Sequence, residues 1–156
     1  MNNQNFTAAL LVDQTPKEVF DAINNVRAWW LTDAEGDSQK NGDEFSVRFD
    51  DVHYTRQKLV DVIPNKKVAW LITDSDLSFI KDTSEWKDTK VVFEIAEKNN
   101  KTEIRFTHEG LVPEVECFGA CSNGWNYFLG SLVSLITTGK GQPHQNKIVT
   151  TANSNV

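Results

Sequence analysis

Hydrophobic and polar residues alternate with a period of two through the middle of the chain, which is typical of half-buried antiparallel strands. The alternation begins at Glu44, where Phe45, Val47 and Phe49 are separated by polar residues. Composition and turn residues predict further strands over residues 6–12, 54–63, 68–73, 91–96 and 102–108. Between them, the segment 74–88 mixes large apolar residues with acids, and it fits either an edge strand or a lid-like loop.

Helical patterns flank this run of strands. Thr15 as N-cap, Pro16 at the first helical position and Glu18 at the third predict a helix that continues to about residue 25, followed by a short turn over 27–31. A second apolar stripe, at three- and four-residue steps, predicts a long helix over 114–138 that Pro113 opens. Gly139 ends it.

The order of elements predicts an α+β fold. We expect a curved antiparallel sheet of six to seven strands wrapped around the long C-terminal helix, with two short helices after the first strand. A sheet that is apolar on one face needs a covering layer, and only the terminal helix is long enough to supply it. A curved sheet and a straight helix do not match everywhere, so this packing favours a cavity between them.

Composition narrows the classes of function. The 156 residues carry 16 Lys and Arg against 22 Asp and Glu, a net charge of -6 that makes nucleic acid an unfavourable partner. Neither a signal peptide nor an apolar run of membrane-spanning length is visible, which predicts a cytoplasmic protein without membrane insertion. Cys117 and Cys121, four residues apart, fit plain helix packing better than a redox or metal pair, so we expect no metal or cofactor.

Several short motifs, taken together, resemble a known family. The chain is similar to the START-like superfamily, also called Bet v 1-like or SRPBCC, which has the helix-grip fold. Within it the resemblance is to stand-alone bacterial proteins related to the C-terminal domain of the activator of Hsp90 ATPase. It implies a single domain over 1–143 and a polar tail over 144–156, which we expect to be disordered. The motifs lie at residues 14–23, 25–30, 107–113, 124–125 and 135–143.

Catalytic signatures are missing: the chain has no glycine-rich phosphate loop, no zinc-protease motif and no nucleophile elbow. Of three histidines, His144 lies in the polar tail, where we expect exposure. His53 begins a strand, where a local turn hydrogen bond is favoured. His108 shares the strand face of Ile104 and Phe106, so it is predicted to point inward, either bonded to backbone or acting as a polar anchor or general acid.

The abundant aromatic residues suggest where a ligand would sit. The chain has five Trp and nine Phe beside two Tyr and one Met. Rings on the inner faces of sheet and helix fill a core, and the same rings form the wall of an apolar ligand site if a cavity exists. The predicted cavity residues are Trp29, Trp30, Phe45, Phe49, Trp70, Phe93, Phe106, His108, Trp125, Leu129 and Leu132.

Three functions are compatible with this pattern. The first is a binding protein, monomer or dimer, for a small hydrophobic molecule such as a lipid, a polyketide or an aromatic metabolite. The second is a chaperone-interaction module, as the resemblance to the Hsp90-activator domain implies. The third is a cyclase- or hydrolase-like enzyme in which His108 is the acid or base. Apart from His108 in this third case, no residue is predicted to be catalytic.

Overall fold

A computed structural model describes residues 5–50 and 52–146. The elements follow one another in the predicted order, with one strand more than the pattern gives. They are β1 (Phe6–Val12), α1 (Pro16–Asn24), α2 (Val26–Trp29), β2 (Glu35–Gly36), β3 (Glu44–Phe49), β4 (His53–Ile63), β5 (Lys67–Leu77), β6 (Lys90–Lys98), β7 (Lys101–Glu109) and α3 (Phe118–Thr138).

All seven strands form one antiparallel sheet in the order β1-β7-β6-β5-β4-β3-β2. The register between β4 and β5 shifts twice, between Arg56 and Gln57 and between Leu59 and Asp61. Such irregularities bend a sheet and increase its twist. The sheet therefore curves around α3, which confirms the predicted helix-grip fold.

Local signals fix the ends of α1 and α3. The Thr15 hydroxyl accepts from the Glu18 amide at 3.2 Å, and the Glu18 carboxylate accepts from the Thr15 amide at 3.0 Å. This is the predicted capping box, with Pro16 in the first turn. At the other end of the chain, Gly139 adopts φ +85° and its amide donates to the Leu135 carbonyl, which ends α3 as predicted.

The predicted start of the long helix at 114 is wrong, because α3 begins at Phe118. The Glu85 carboxylate accepts hydrogen bonds from the backbone amides of Glu116 and Cys117, at 2.8 and 3.1 Å. The two amides that directly precede the helix thus donate their hydrogen bonds to a side chain from another segment. The residues before them form turns.

The unassigned segment 74–88 divides into a strand and a loop. β5 continues through Asp74 to Leu77, and residues 78–88 then form successive turns. The strand β2 escapes sequence prediction because it is two residues long and its pairing depends on Gly36. This glycine has φ +103°, and a Cβ there would collide with the Glu44 carbonyl oxygen. In the described ranges, no helix is long and apolar enough to cross a membrane.

Candidate functional site

A cavity of about 150 Å³ lies at one end of the interface between the sheet and α3. Its wall combines the N-terminal half of α3, the end of β3, the start of β4 and the 78–88 loop. Phe79, from that loop, is 44% exposed, so the pocket reaches the protein surface there. The lining residues are Trp30, Phe49, His53, Phe79, Trp86, Ala120, Cys121, Gly124, Trp125 and Phe128.

The pocket lies at the end of a tryptophan column that contains all five tryptophans of the chain. Trp86 stacks on Trp125 with 5.9 Å between ring centroids, and Trp125 stacks on Trp30 at 5.3 Å. Trp30 then stacks on Trp70 at 5.4 Å and on Trp29 at 6.0 Å. The planes of neighbouring rings differ by at most 27°. Offset stacking at these distances is favourable beyond the burial of area, so the column is a rigid wall.

The structure places three of the eleven predicted cavity residues on this wall, namely Trp30, Phe49 and Trp125. The other eight lie outside it, buried in the core at 2% exposure or less. The interior around Trp70, Phe93 and Phe106 is packed ring against ring, with centroids 5.1–5.2 Å apart. The observed pocket is therefore smaller than the predicted one. The predicted residues that lie in the packed core also include Trp29, Phe45, His108, Leu129 and Leu132.

Seven of the ten residues that line this pocket were not in the predicted set. Trp86 and Phe79 belong to the segment whose conformation the pattern left open, so their faces were not assignable. Gly124 was seen only as a motif residue, yet a Cβ there would meet no atom within 4 Å. Phe128 and Cys121 do belong to the apolar stripe of α3, and that stripe was the available signal.

His108 is fully buried and has partners on both ring nitrogens. The indole Nε1–H of Trp125 donates to Nδ1 at 3.0 Å, so Nε2 carries the proton and donates to the Thr89 hydroxyl at 2.9 Å. The Thr89 hydroxyl donates in turn to the Trp86 carbonyl at 2.6 Å. Burial, followed by repulsion from His53, lowers the pKa of His108 to about 3, which keeps the ring neutral.

This network confirms the inward orientation of His108 and does not place it on the pocket wall. A general acid or base needs a nitrogen within reach of the substrate. Both nitrogens of His108 are instead used to hold Trp125 and the Thr89 turn. Its bonds within the described chain are those of a residue that positions the tryptophan column.

His53 lines the pocket, and its described hydrogen bond is local, as expected, but lies within β4 and not in a turn. Its ring is perpendicular to the rings of Phe49 and Trp86, with centroids 5.0 and 4.9 Å away. Its Nε2 lies 3.4 Å from the hydroxyl of Thr55, the next inward residue of β4. Burial lowers the pKa of His53 to about 3, so this ring is also neutral near pH 7.

The 78–88 loop is fastened to the start of α3. Glu85 accepts the two amides that precede the helix, and the Glu116 carboxylate accepts the Lys81 amide at 3.0 Å. Below them the indole of Trp86 donates to the Cys117 sulfur at 3.3 Å. These reciprocal bonds hold one wall of the pocket, the 78–88 loop, against the other, α3.

The two cysteines are free thiols packed at this junction. A hydrogen bond to Cys117, together with burial, raises the pKa of Cys121, and the same bond lowers the pKa of Cys117. Cys121 therefore presents a protonated thiol to the pocket. The described residues contain no group of three or more His, Cys, Asp or Glu that could hold a metal ion.

His144 is half-buried where exposure was expected, because residues 144–146 contact the domain. The His144 amide and carbonyl bond the backbone of Trp30 and Thr32, and its Nε2 lies 3.1 Å from the Asp50 carboxylate. Asn146 bonds the backbone of Asp50 and Arg48. The predicted disorder of the tail from 147 onward lies outside the described residues, and the domain boundary at 143 stays a prediction.

An antiparallel sheet that grips a long helix, with a small aromatic pocket at one end, defines an α+β protein of the helix-grip class. The pattern of the activator of Hsp90 ATPase homolog 1-like proteins matches residues 13–137. The chain belongs to this family, as the motifs predict. No curated protein matches it.

Solved structures share the fold across most of the chain. The Aha1 dimer from Colwellia psychrerythraea is 25% identical with a TM-score of 0.72, over 88% of this chain and 98% of its own. Protein SSP2350 from Staphylococcus saprophyticus is 16% identical with a TM-score of 0.67, over 89% and 96%. CalU16 from Micromonospora echinospora is 16% identical with a TM-score of 0.62, over 87% and 75%.

Proposed function

We propose that the protein binds a small apolar molecule in the pocket between α3, the sheet and the 78–88 loop. The observation that carries this proposal is the aromatic-walled cavity itself, which persists beside a core whose rings are otherwise in contact. Cores are normally packed to the density of organic crystals, so an unfilled cavity of this size costs stability, and a bound molecule would restore the missing contacts.

The volume indicates the size of the ligand. Pockets for drug-sized molecules measure about 300–1,000 Å³. A cavity of about 150 Å³ corresponds instead to one benzene-sized ring. Of the predicted ligand classes, an aromatic metabolite therefore fits better than a lipid or a polyketide.

Two glycines of α3 provide a matched test. Gly124 lines the pocket, whereas Gly130 is exposed on the same helix, and neither has an atom within 4 Å of a built Cβ. Replacing either glycine with Leu should favour the helix by about 1 kcal/mol. Gly124→Leu additionally places a side chain in the pocket, and Gly130→Leu does not.

The measurement is the rise in Tm on adding a one-ring probe such as toluene, followed by NMR titration. A ligand that binds only the folded state must raise Tm. We expect the rise in the wild type and in Gly130→Leu, and its loss in Gly124→Leu. Equal responses in the two variants, or none in the wild type, would contradict the proposal.

We also propose a second function, interaction with a chaperone, because the chain belongs to a family named for activators of Hsp90 ATPase. The test is the ATPase rate of an Hsp90 from the same cell, with and without this protein. An unchanged rate at saturating protein would exclude activation.

A cytoplasmic location is part of both proposals. The choice between monomer and dimer can be made by sedimentation, since the Colwellia relative is a dimer.

A further inference from the structure

A row of polar side chains begins at the pocket and continues into the apolar interior. His53, Thr55 and Gln57 alternate along β4, so all three point to the inner face of the sheet. Thr55 and Gln57 are completely buried. The Gln57 side-chain amide donates to the Thr55 hydroxyl, and that hydroxyl lies 3.4 Å from Nε2 of His53.

The direction of these hydrogen bonds assigns the proton on His53. The Thr55 oxygen already accepts from Gln57, and its own buried hydrogen needs an acceptor. Nε2 of His53 is the acceptor that the described residues offer. A neutral imidazole that accepts at Nε2 carries its hydrogen on Nδ1.

Nδ1 is available to a ligand. Nδ1 makes no hydrogen bond to a described residue. Some side-chain atoms without a partner are completely buried, Oε1 of Gln57 among them, but Nδ1 is not one of these. The rest of the described wall is six aromatic rings, Ala120, Gly124 and the Cys121 thiol, so no charged side chain of residues 5–50 or 52–146 lines the pocket. Trp30 also brings an indole N–H that bonds no described residue, so the unpaired polar groups of the described wall are this N–H, the Nδ1–H of His53 and the weak Cys121 thiol donor.

We propose that the pocket selects neutral one-ring aromatic compounds bearing a single hydrogen-bond acceptor, such as aryl aldehydes and ketones, through the Nδ1–H of His53. This inference rests on the proposed binding function and specifies its ligand class. A carboxylate is disfavoured, because no cation on the wall would offset its loss of water. A pure hydrocarbon fits but leaves the N–H unpaired.

The test compares acetophenone with α-methylstyrene, which has the same shape with CH₂ in place of the carbonyl oxygen. Kd values for both, and for benzoate, are measured with wild type and His53→Phe, which keeps an aromatic ring between Phe49 and Trp86. One hydrogen bond contributes about 0.5–1.5 kcal/mol, so the ratio of the two affinities should fall roughly 2- to 10-fold in the variant. Benzoate should bind neither protein.

The outcomes separate the two proposals. If α-methylstyrene and acetophenone both fail to bind the wild type, the binding function itself is refuted. If both bind and their ratio is the same in His53→Phe, the pocket binds rings and the assigned role of His53 is refuted. Benzoate binding as tight as that of acetophenone would also overturn this inference.

A second measurement on the wild type requires no variant. Long-range ¹H–¹⁵N NMR distinguishes the two neutral tautomers of histidine, and we expect His53 to show the Nδ1–H form. Acetophenone should shift the Nδ1 resonance more than α-methylstyrene does. The Nε2–H form in the free protein, in which His53 would donate to Thr55, would overturn the assignment.

Discussion

The hydrogen bond between His108 and Thr89 gives a sharp prediction, because the substitution Thr89→Val removes little besides one hydroxyl. The Thr89 oxygen accepts from Nε2–H of His108 at 2.9 Å inside the core. Val keeps the shape and leaves the donor without a partner. The Trp86 carbonyl retains one hydrogen bond, from the Thr89 backbone amide at 3.0 Å.

The expected cost follows from the burial of the donor. A buried polar group without a partner costs about 1–3 kcal/mol. Because each kcal/mol lowers Tm by about 2–4 °C in a domain of this size, a loss of about 2 kcal/mol predicts a fall of about 4–8 °C. Thr107→Val is the control: Thr107 is half-buried on β7, and no side-chain hydrogen bond of it occurs among the described residues.

A double-mutant cycle with His108→Phe isolates this one bond. In the phenylalanine background Nε2–H is absent, so Thr89→Val should cost about 1–2 kcal/mol less than in the wild type. Urea denaturation supplies the four free energies of unfolding. The reasoning is refuted if Thr89→Val costs no more than Thr107→Val, or if its full cost persists beside His108→Phe.

Three further predictions concern the same region. Since the pKa of His108 is about 3 in the folded protein against 6.5 unfolded, its contribution is lost as pH falls from 6.5 towards 3. By pH 5 this loss in the free energy of unfolding is about 2 kcal/mol. Urea denaturation at pH 6.5 and 5.0 should therefore show a smaller difference in stability for His108→Phe than for the wild type. Glu85→Gln weakens the two bonds to the start of α3 and should lower the free energy of unfolding by about 0.5–2 kcal/mol. Amide hydrogen exchange in residues 78–88 should become faster. The control Glu97→Gln, at an exposed position, should leave that exchange unchanged. Gly110→Ala should lower the free energy of unfolding by about 1–3 kcal/mol, because φ is +103° and the new Cβ would lie 2.6 Å from a Thr89 methyl; an unaltered Tm would contradict that strain.

The sheet was predictable because its long strands carry local signals: a period of two in β3, and strand-forming composition bounded by turn residues in the others. The capping box at Thr15 and the glycine stop at Gly139 are equally local, and the structure confirms both. The start of α3 was not predictable, because it depends on Glu85, which lies 31 residues earlier in the sequence. Contacts of this kind leave no periodic signal.

The candidate site was predictable only in part, for a related reason. Strand parity placed His108 in the interior, and the apolar stripe of the long helix placed Trp125 there. Parity does not reveal how far the inward rings fill the space between sheet and helix. The cavity lies where the 78–88 loop joins the ends of β3 and β4 opposite α3. The conformation of that loop depends on side-chain-to-backbone bonds such as those of Glu85 and Glu116.

The tryptophan column has an optical consequence. Indole rings stacked with 5.3–6.0 Å between centroids exchange electronic excitation, so absorbed light does not remain on one ring. Trp86, at the end of the column, donates its N–H to the Cys117 sulfur, and thiols quench indole emission. The emission of the whole column should therefore depend on this one contact under the 78–88 loop as well as on each ring's own surroundings.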